Sequence, residues 1–375
     1  MPPVVVDVAK AEDVRDVVHR TVQALAEGKL VALPTETVYG LAASACNAAA
    51  VEKLFEAKGR DPSVPFALAI KSAAEAEDYS PGWSPLAARL ARRCWPGPVT
   101  LVLEADHPAS LVGQLPESVR QYLCPQGTVG LRVPANAVVQ DVLRMLPGPI
   151  ALTSANRSGE PAAVNAVEVV EAVGDSVALV LDDGPAHYGQ ASSVAMVNGD
   201  GLKVLREGVV GVSTLERLSR SLVIMVCTGN TCRSPMAEGL MRRALAEELG
   251  CGDDELEDKG LVVASAGLAA ASGSPPSREA VTLMAERGID LEGHAAQQLT
   301  DQLVRHADAM ITMTRGHRQA IVGHWPDAAP RTKLLIPDGD VADPIGGPLE
   351  VYRRCAEQIA RGVQAHVRTI VSEHT

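Results

Sequence analysis

Cys227 and Arg233 bracket a short polar loop, CTGNTCR, between the apolar run LVIMV and a helix-like pattern that begins SPMAEGL. A second cysteine, Cys232, lies inside it. Zinc would need further ligands, and neither half of the chain offers another Cys/Cys or His/His pair at zinc spacing. A plain strand-to-helix turn with two incidental cysteines would leave Arg233 unexplained. An anion cradle uses every residue, because a strand–loop–helix unit aims successive N–H groups and a helix N-terminus at one point. Ser234 suits the N-cap and Pro235 the first helical position. The planar fork of Arg233 can bind two phosphate oxygens. Cations and aimed N–H groups favour the thiolate, the nucleophilic form of cysteine.

The elements that must position this loop are legible around it. A strand from Leu222 precedes it, and LVVASAG, the helix SREAVTLMAERG, ADAMITMT and TKLLI follow. Leu349, Tyr352, Cys355, Ile359, Val363 and Val367 make one stripe of a final helix. Short strands alternating with helices predict an α/β fold, a parallel sheet with helices on both faces.

Earlier in the chain, Val14, Val17, Val18, Val22 and Leu25 fall at helical spacing and Gly28 is placed to stop that helix. AAAVEKLFEAKG reads as a second helix. LVALP, FALAI, PVTLVLE, TVGLRVP, PIALTS and ALVLDD read as strands, and SSVAMVNGDGLKVLREG as a hairpin turning at Asn198 to Gly201. This half is also α/β, with mixed strand direction. Residues 209–219 carry no strong element, so the expected division is 1–212, a linker at 213–220, and 221–375. Two domains suit 375 residues.

Composition excludes other classes. A formal charge of −12 opposes stable nucleic-acid binding over a broad surface. No apolar run reaches the roughly 18 residues of a membrane span, and the N-terminus lacks the basic start and apolar core of a secretory signal. Seven irregularly spaced cysteines suggest no disulfide framework and an expected cytoplasmic location.

Residues 221–375 resemble the low-molecular-weight phosphotyrosine phosphatase family, through CTGNTCRSP, SAGLAAASGSPPS and DPIGGPLEVYRRC. The resemblance implies a doubly wound, four-stranded parallel sheet and metal-free catalysis on a phosphorylated protein. Cys227 would attack phosphorus and Arg233 hold the phosphoryl oxygens. Thr228, Gly229, Asn230, Thr231, Cys232 and Ser234 would form the phosphate loop, with Asn230 and Ser234 supporting the thiolate. Asp343 would protonate the leaving group and then activate water. Cys232 is either a packing residue or a resolving thiol. The tyrosine branch carries a bulky aliphatic residue at Thr231 and aromatics at Ile345 and Gly346. With those walls missing, the loop resembles the protein-arginine phosphatase branch; phosphotyrosine stays the alternative.

The other half places PTETVYGLAASA, KGRDPSVPFALAI, WPGPVTLVLE, GLRVP, ALTSANRSG and GPAHYGQASSVAMV in order. Singly, Lys58 and Arg60 could be a solvated helix end, and Ser154 and Asn156 a turn. Together these segments put hydroxyls, an amide and cations on loops after strands, where open sheets bind ligands. About residues 5–212 resemble the YrdC-like threonylcarbamoyl-AMP synthase family. The resemblance implies a mixed, twisted sheet and a reaction of L-threonine, bicarbonate and ATP, with Mg²⁺ carried by ATP. It implies too a separate transferase machinery that passes the product to tRNA. Thr35, Tyr39 and Arg132 would bind threonine; Lys58 and Arg60 would neutralise the triphosphate; Thr100, Ser154, Asn156, Ser192 and Arg206 would line the nucleotide site. Ala69 and Ala162 replace polar residues common in that family. The alternative is a nucleotide- or RNA-binding module that has lost catalysis.

Overall fold

In a computed structural model, residues 2–59, 61 and 64–374 are described, and the chain divides into two units, Met1–Leu218 and Ser219–Thr375. The sheet of the first unit runs from edge to edge as Val4–Asp7, Leu179–Asp182, Val31–Leu33, Gly40–Ser44, Ile150–Ser154, Ala67–Ala69, Thr128–Arg132, Val99–Glu104, Ser193–Asn198 and Gly201–Arg206. Strand direction is mixed. Val31–Leu33 pairs parallel with Leu179–Asp182, while Gly40–Ser44 is antiparallel to Ile150–Ser154. The central strands are short, apolar runs because both faces are covered: Leu41 and Leu68 lie in one core cluster, Ala42 and Ala69 in the other. The first helix, Val14–Ala26, is capped by Asp13, whose side chain accepts from the Arg15 N–H.

The expected linker is a helix. Val212–Ser219 is α-helical; Leu215 is buried in the core of the first unit, and Arg93 donates to the Leu218 carbonyl at 2.6 Å. Eight residues with a single buried apolar position give too little periodicity to be read from sequence.

The second unit has four parallel strands in the order Leu261–Gly267, Ser221–Cys227, Ala309–Thr312 and Thr332–Leu334. Along Ser221–Cys227, Val223, Met225 and Cys227 belong to one core cluster and Ile224 and Val226 to the opposite one. That alternation is the side-chain period of a strand buried on both faces. The helix Leu349–His374 packs its stripe, Tyr352, Cys355, Ile359, Val363 and Val367, into the first of those clusters, beside Arg233–Leu249. The chain leaves Ser221–Cys227 for a neighbour on one side and later returns to the other side. The carboxyl end at Cys227 is therefore where strand order reverses. Among the described residues no helix is long and apolar enough to cross a membrane.

Two candidate active sites

Cys227 ends the central strand, and the helix Arg233–Leu249 starts six residues later. Cys232, not Ser234, occupies the N-cap position, and Ser234 and Pro235 lie within the first turn. The Ser234 hydroxyl is used elsewhere. It lies 3.0 Å from Cys227 Sγ and accepts from Asn230 Nδ2 at 2.9 Å. Asn230 has φ +55°, the one positive φ outside glycine among the described residues; asparagine tolerates this region best of the non-glycine residues.

The polarity of the network follows from one carboxylate. Ser265 Oγ donates to Glu238 Oε2 at 2.6 Å, so it accepts from Asn230 Nδ2 at 2.8 Å. Asn230 thus donates to both serines, which leaves the Ser234 proton to point at sulfur. The Asn230 backbone N–H also donates to Cys227 Sγ at 3.2 Å. Gln297 N–H and His294 Nε2 hold Asn230 Oδ1 and its carbonyl oxygen at 2.8 and 2.9 Å. Two donors therefore aim at the sulfur of Cys227, a residue 2% exposed.

Arg233 is 6% exposed, and its Nη2 lies 2.5 Å from Asp343 Oδ2 and 3.5 Å from Thr228 Oγ1. Arg233 and Asp343 are thus in contact at one end of the loop whose other end is Cys227. Thr231 Oγ1 lies 3.6 Å from Cys232 Sγ, and Cys232 Sγ lies 3.4 Å from the Tyr352 hydroxyl. Burial, and then that sulfur contact, push Tyr352 up to about 12. Burial also pushes the nearby Cys355 thiol up to about 12. Beyond Asp343 the wall is open: Ile345 is 71% exposed, and Gly346 follows at φ +73°. His317, Ser265, His294 and Glu238 were not singled out from sequence. All but Glu238 come from elements remote in the chain; Ser265 opens the segment SAGLAAASGSPPS but was given no role there, and no local motif marks the other three.

In the first unit, Thr35, Tyr39, Lys58, Thr100, Arg132, Ser154, Asn156, Ser192 and Arg206 all line one cleft of about 610 Å³. Arg60 lies outside the described residues. The described lining includes Lys58, Arg132 and Arg206 and no acidic residue, so this cleft is locally cationic on a chain of net charge −12. Lys58 is 4% exposed and its Nζ donates to Ser154 O and Oγ at 2.8 and 3.0 Å, and to Asn156 O and Oδ1 at 2.8 and 2.6 Å. An ammonium has three N–H bonds, so in this geometry Lys58 braces the loop after Ile150–Ser154 as well as facing the cleft.

Arg132 Nη2 donates to Glu36 Oε1 and Thr37 Oγ1, both at 2.8 Å, and Glu36 Oε2 accepts from the Ala135 N–H at 3.0 Å. Glu36 lies inside PTETVYGL, yet sequence reasoning gave it no role. Arg206 donates to the Ser192 carbonyl at 2.8 Å, and Ser192 Oγ lies 3.3 Å from Thr100 Oγ1. Burial and the neighbouring Arg132 lower the pKa of Arg206. Tyr39 donates to the Gly184 carbonyl at 2.7 Å, and burial pushes its hydroxyl up to about 12. Ala69 is packed in a core cluster and does not line the cleft. Among the described residues no group of three or more His, Cys, Asp or Glu could hold a metal ion.

Comparison with known proteins separates along the same lines. A family model named for Sua5, YciO and YrdC, described as telomere recombination, matches residues 23–208. The low molecular weight phosphotyrosine protein phosphatase model matches residues 222–375. A putative threonylcarbamoyl-AMP synthase of Mycobacterium tuberculosis is 36% identical over 194 residues, covering 52% of this chain and 85% of that protein. The threonylcarbamoyl-AMP synthase of Pyrococcus abyssi is 36% identical over 194 residues, covering 51% of this chain; this chain spans only 54% of its length. A protein-arginine-phosphatase of Geobacillus stearothermophilus is 38% identical over 142 residues, 36% of this chain and 87% of its own. The crystal structure of P. abyssi Sua5 complexed with L-threonine covers 97% of this chain and 98% of its own, with a TM-score of 0.51 at 21% identity, a likeness of fold alone.

Proposed function

We propose, from the premise that this chain belongs both to the Sua5/YciO/YrdC family and to the low-molecular-weight phosphotyrosine phosphatase family, that it is an enzyme with two activities. The first unit joins L-threonine, bicarbonate and ATP into threonylcarbamoyl-AMP and releases pyrophosphate, for tRNA threonylcarbamoyladenosine formation by a separate transferase. The second removes phosphate from proteins, with phosphoarginine the preferred substrate. The observation that carries the synthase reading is the cationic cleft that gathers the expected residues from loops far apart in sequence. Two buried or partly buried cations, Lys58 and Arg206, suit a triphosphate, whose charge migrates toward pyrophosphate as the adenylate forms, while Arg132 is left to threonine. Mg²⁺ enters with ATP as part of the substrate. Pyrophosphate release that needs both threonine and bicarbonate is the expected result; release that ignores either would leave a nucleotide-binding module.

For the phosphatase, the carrying observation is Cys227 Sγ under two donors in a loop that ends on Arg233, itself in contact with Asp343. The thiolate attacks phosphorus in line, and the S–P bond forms as the bond to the leaving group breaks. Asp343, 44% exposed at its side chain, gives its proton to the leaving nitrogen or oxygen. It then takes a proton from the water that cleaves cysteinyl-phosphate, releasing inorganic phosphate and restoring the thiolate. Arg233 offers its remaining N–H groups to the equatorial oxygens.

The arginine preference rests on Thr231 and on the exposed Ile345–Gly346 segment, which gives an aromatic ring no facing walls. Turnover of matched phosphoarginine and phosphotyrosine peptides is the decisive comparison. Faster turnover of phosphoarginine is expected, and a strong tyrosine preference would overturn that part of the reading.

A further inference from the structure

We infer that His317 is a positioning residue for Arg233, acting through the hydroxyl of Thr228. The inference rests on the reading that this loop holds a phosphoryl group. His317 lies in the first turn of the helix Arg315–His324, capped by Thr314, and is 7% exposed. Its Nε2 lies 2.9 Å from Thr228 Oγ1, and that oxygen lies 3.5 Å from Arg233 Nη2. The guanidinium has only N–H donors, so Thr228 Oγ1 is the acceptor in that contact. Its own proton is left to donate, and the neutral imidazole Nε2 stands where it can accept it.

That polarity places the ring hydrogen on Nδ1, which is buried and has no partner among the described residues. A buried orphan of this kind is destabilising, and an apolar side chain would have avoided it. The relay gives the orphan a reason: His317 is held for what its other nitrogen does. Burial, and next the charge of Arg233, lower the His317 pKa, while Asp343 and Asp340 oppose them. An imidazolium would reverse the relay. Its Nε2–H would donate to Thr228 Oγ1, and that oxygen would then face two cations at once, loosening its hold on Arg233.

The test uses the intact chain and a probe confined to this loop: protection of Cys227 from iodoacetate by inorganic phosphate, read by mass spectrometry of the Cys227 peptide. His317→Ala and Thr228→Val should each raise the half-protecting phosphate concentration about tenfold, the scale of one hydrogen bond to a charged group. Because both act through one relay, the double variant should be no worse than either single variant. His317→Gln offers an amide group in place of Nε2 and should stay within about twofold of the wild type at neutral pH. As pH falls through the lowered His317 value, below the ordinary 6.5, the wild type should lose protection relative to His317→Gln, which cannot titrate. Additive single effects, or identical pH dependence of wild type and His317→Gln, would overturn the inference. Protection without phosphopeptide turnover would overturn only the phosphatase reading. No protection of the wild-type chain would overturn both.

Discussion

Thr231 sits in the loop between Cys227 and the helix Arg233–Leu249, with its hydroxyl 3.6 Å from Cys232 Sγ and its carbonyl oxygen accepting from the Ser277 N–H at 2.9 Å. The backbone is thus pinned by a bond that does not use the side chain. Thr231→Ile should keep the loop and exchange a polar contact for an apolar wall. The ratio of phosphoarginine to phosphotyrosine turnover should fall by at least about tenfold, or ~1.4 kcal/mol in relative barrier. An unchanged kcat/KM ratio would remove Thr231 from the specificity argument. Lys58 makes a different residue-scale case, because its bonds to Ser154 and Asn156 tie the end of the helix Ala48–Lys58 to the loop after Ile150–Ser154. Lys58→Ala removes the ammonium from the buried Asn156 acceptors and the half-buried Ser154 hydroxyl, at a cost of about 1–3 kcal/mol. Urea denaturation should register that loss, together with loss of threonine-dependent pyrophosphate release.

At the scale of elements, the loop Cys227–Arg233 is shaped as much by its neighbour strand as by its own residues. A Cβ on Gly267, which ends the strand Leu261–Gly267, would lie 2.5 Å from the Thr228 carbonyl oxygen and 3.0 Å from the Asn230 nitrogen. Both are backbone atoms, so Gly267→Ala must move the loop itself. A displacement near 1 Å at a reacting centre costs on the order of 10²-fold in rate. The variant should show that fall in kcat on phosphopeptides, and wild-type kinetics would mean the loop yields freely. The capping correction belongs here as well. Ser234 has the composition of an N-cap, but its hydroxyl lies against Cys227 and Asn230, so local chemistry gave way to a contact made across the loop.

For the whole molecule, two histidines, His317 buried and His366 half-buried, link pH to the stability of the second unit. Desolvation lowers the pKa of His317 and of His366, whose Nε2 donates to the Leu334 carbonyl at 2.9 Å. The unfolded chain binds protons at these sites near the ordinary value of 6.5, while the folded chain does so only at lower pH. Stability from this source is complete above 6.5 and is lost as pH falls through the lowered values. The unfolding midpoint of this unit should therefore drop on acidification, and His366→Gln should shrink the drop; equal slopes for the two proteins would contradict the assignment.

Part of this protein is fixed locally and is legible in the amino-acid sequence alone. Strand and helix periods, the Cys227–Arg233 spacing and the landmark segments depend on near neighbours, and they point to both folds, the anion loop and the residues that line the cleft. What needed the tertiary structure is every bond between distant segments: Arg132 with Glu36, Lys58 with Asn156, Asn230 with Ser265, and His317 with Thr228. The helix Val212–Ser219 belongs with these, since one buried leucine is enough only when a core is already there to receive it. Sequence sets which groups exist and how each stretch of backbone bends. Packing decides which buried groups share a hydrogen bond, because that choice depends on which elements the fold sets side by side.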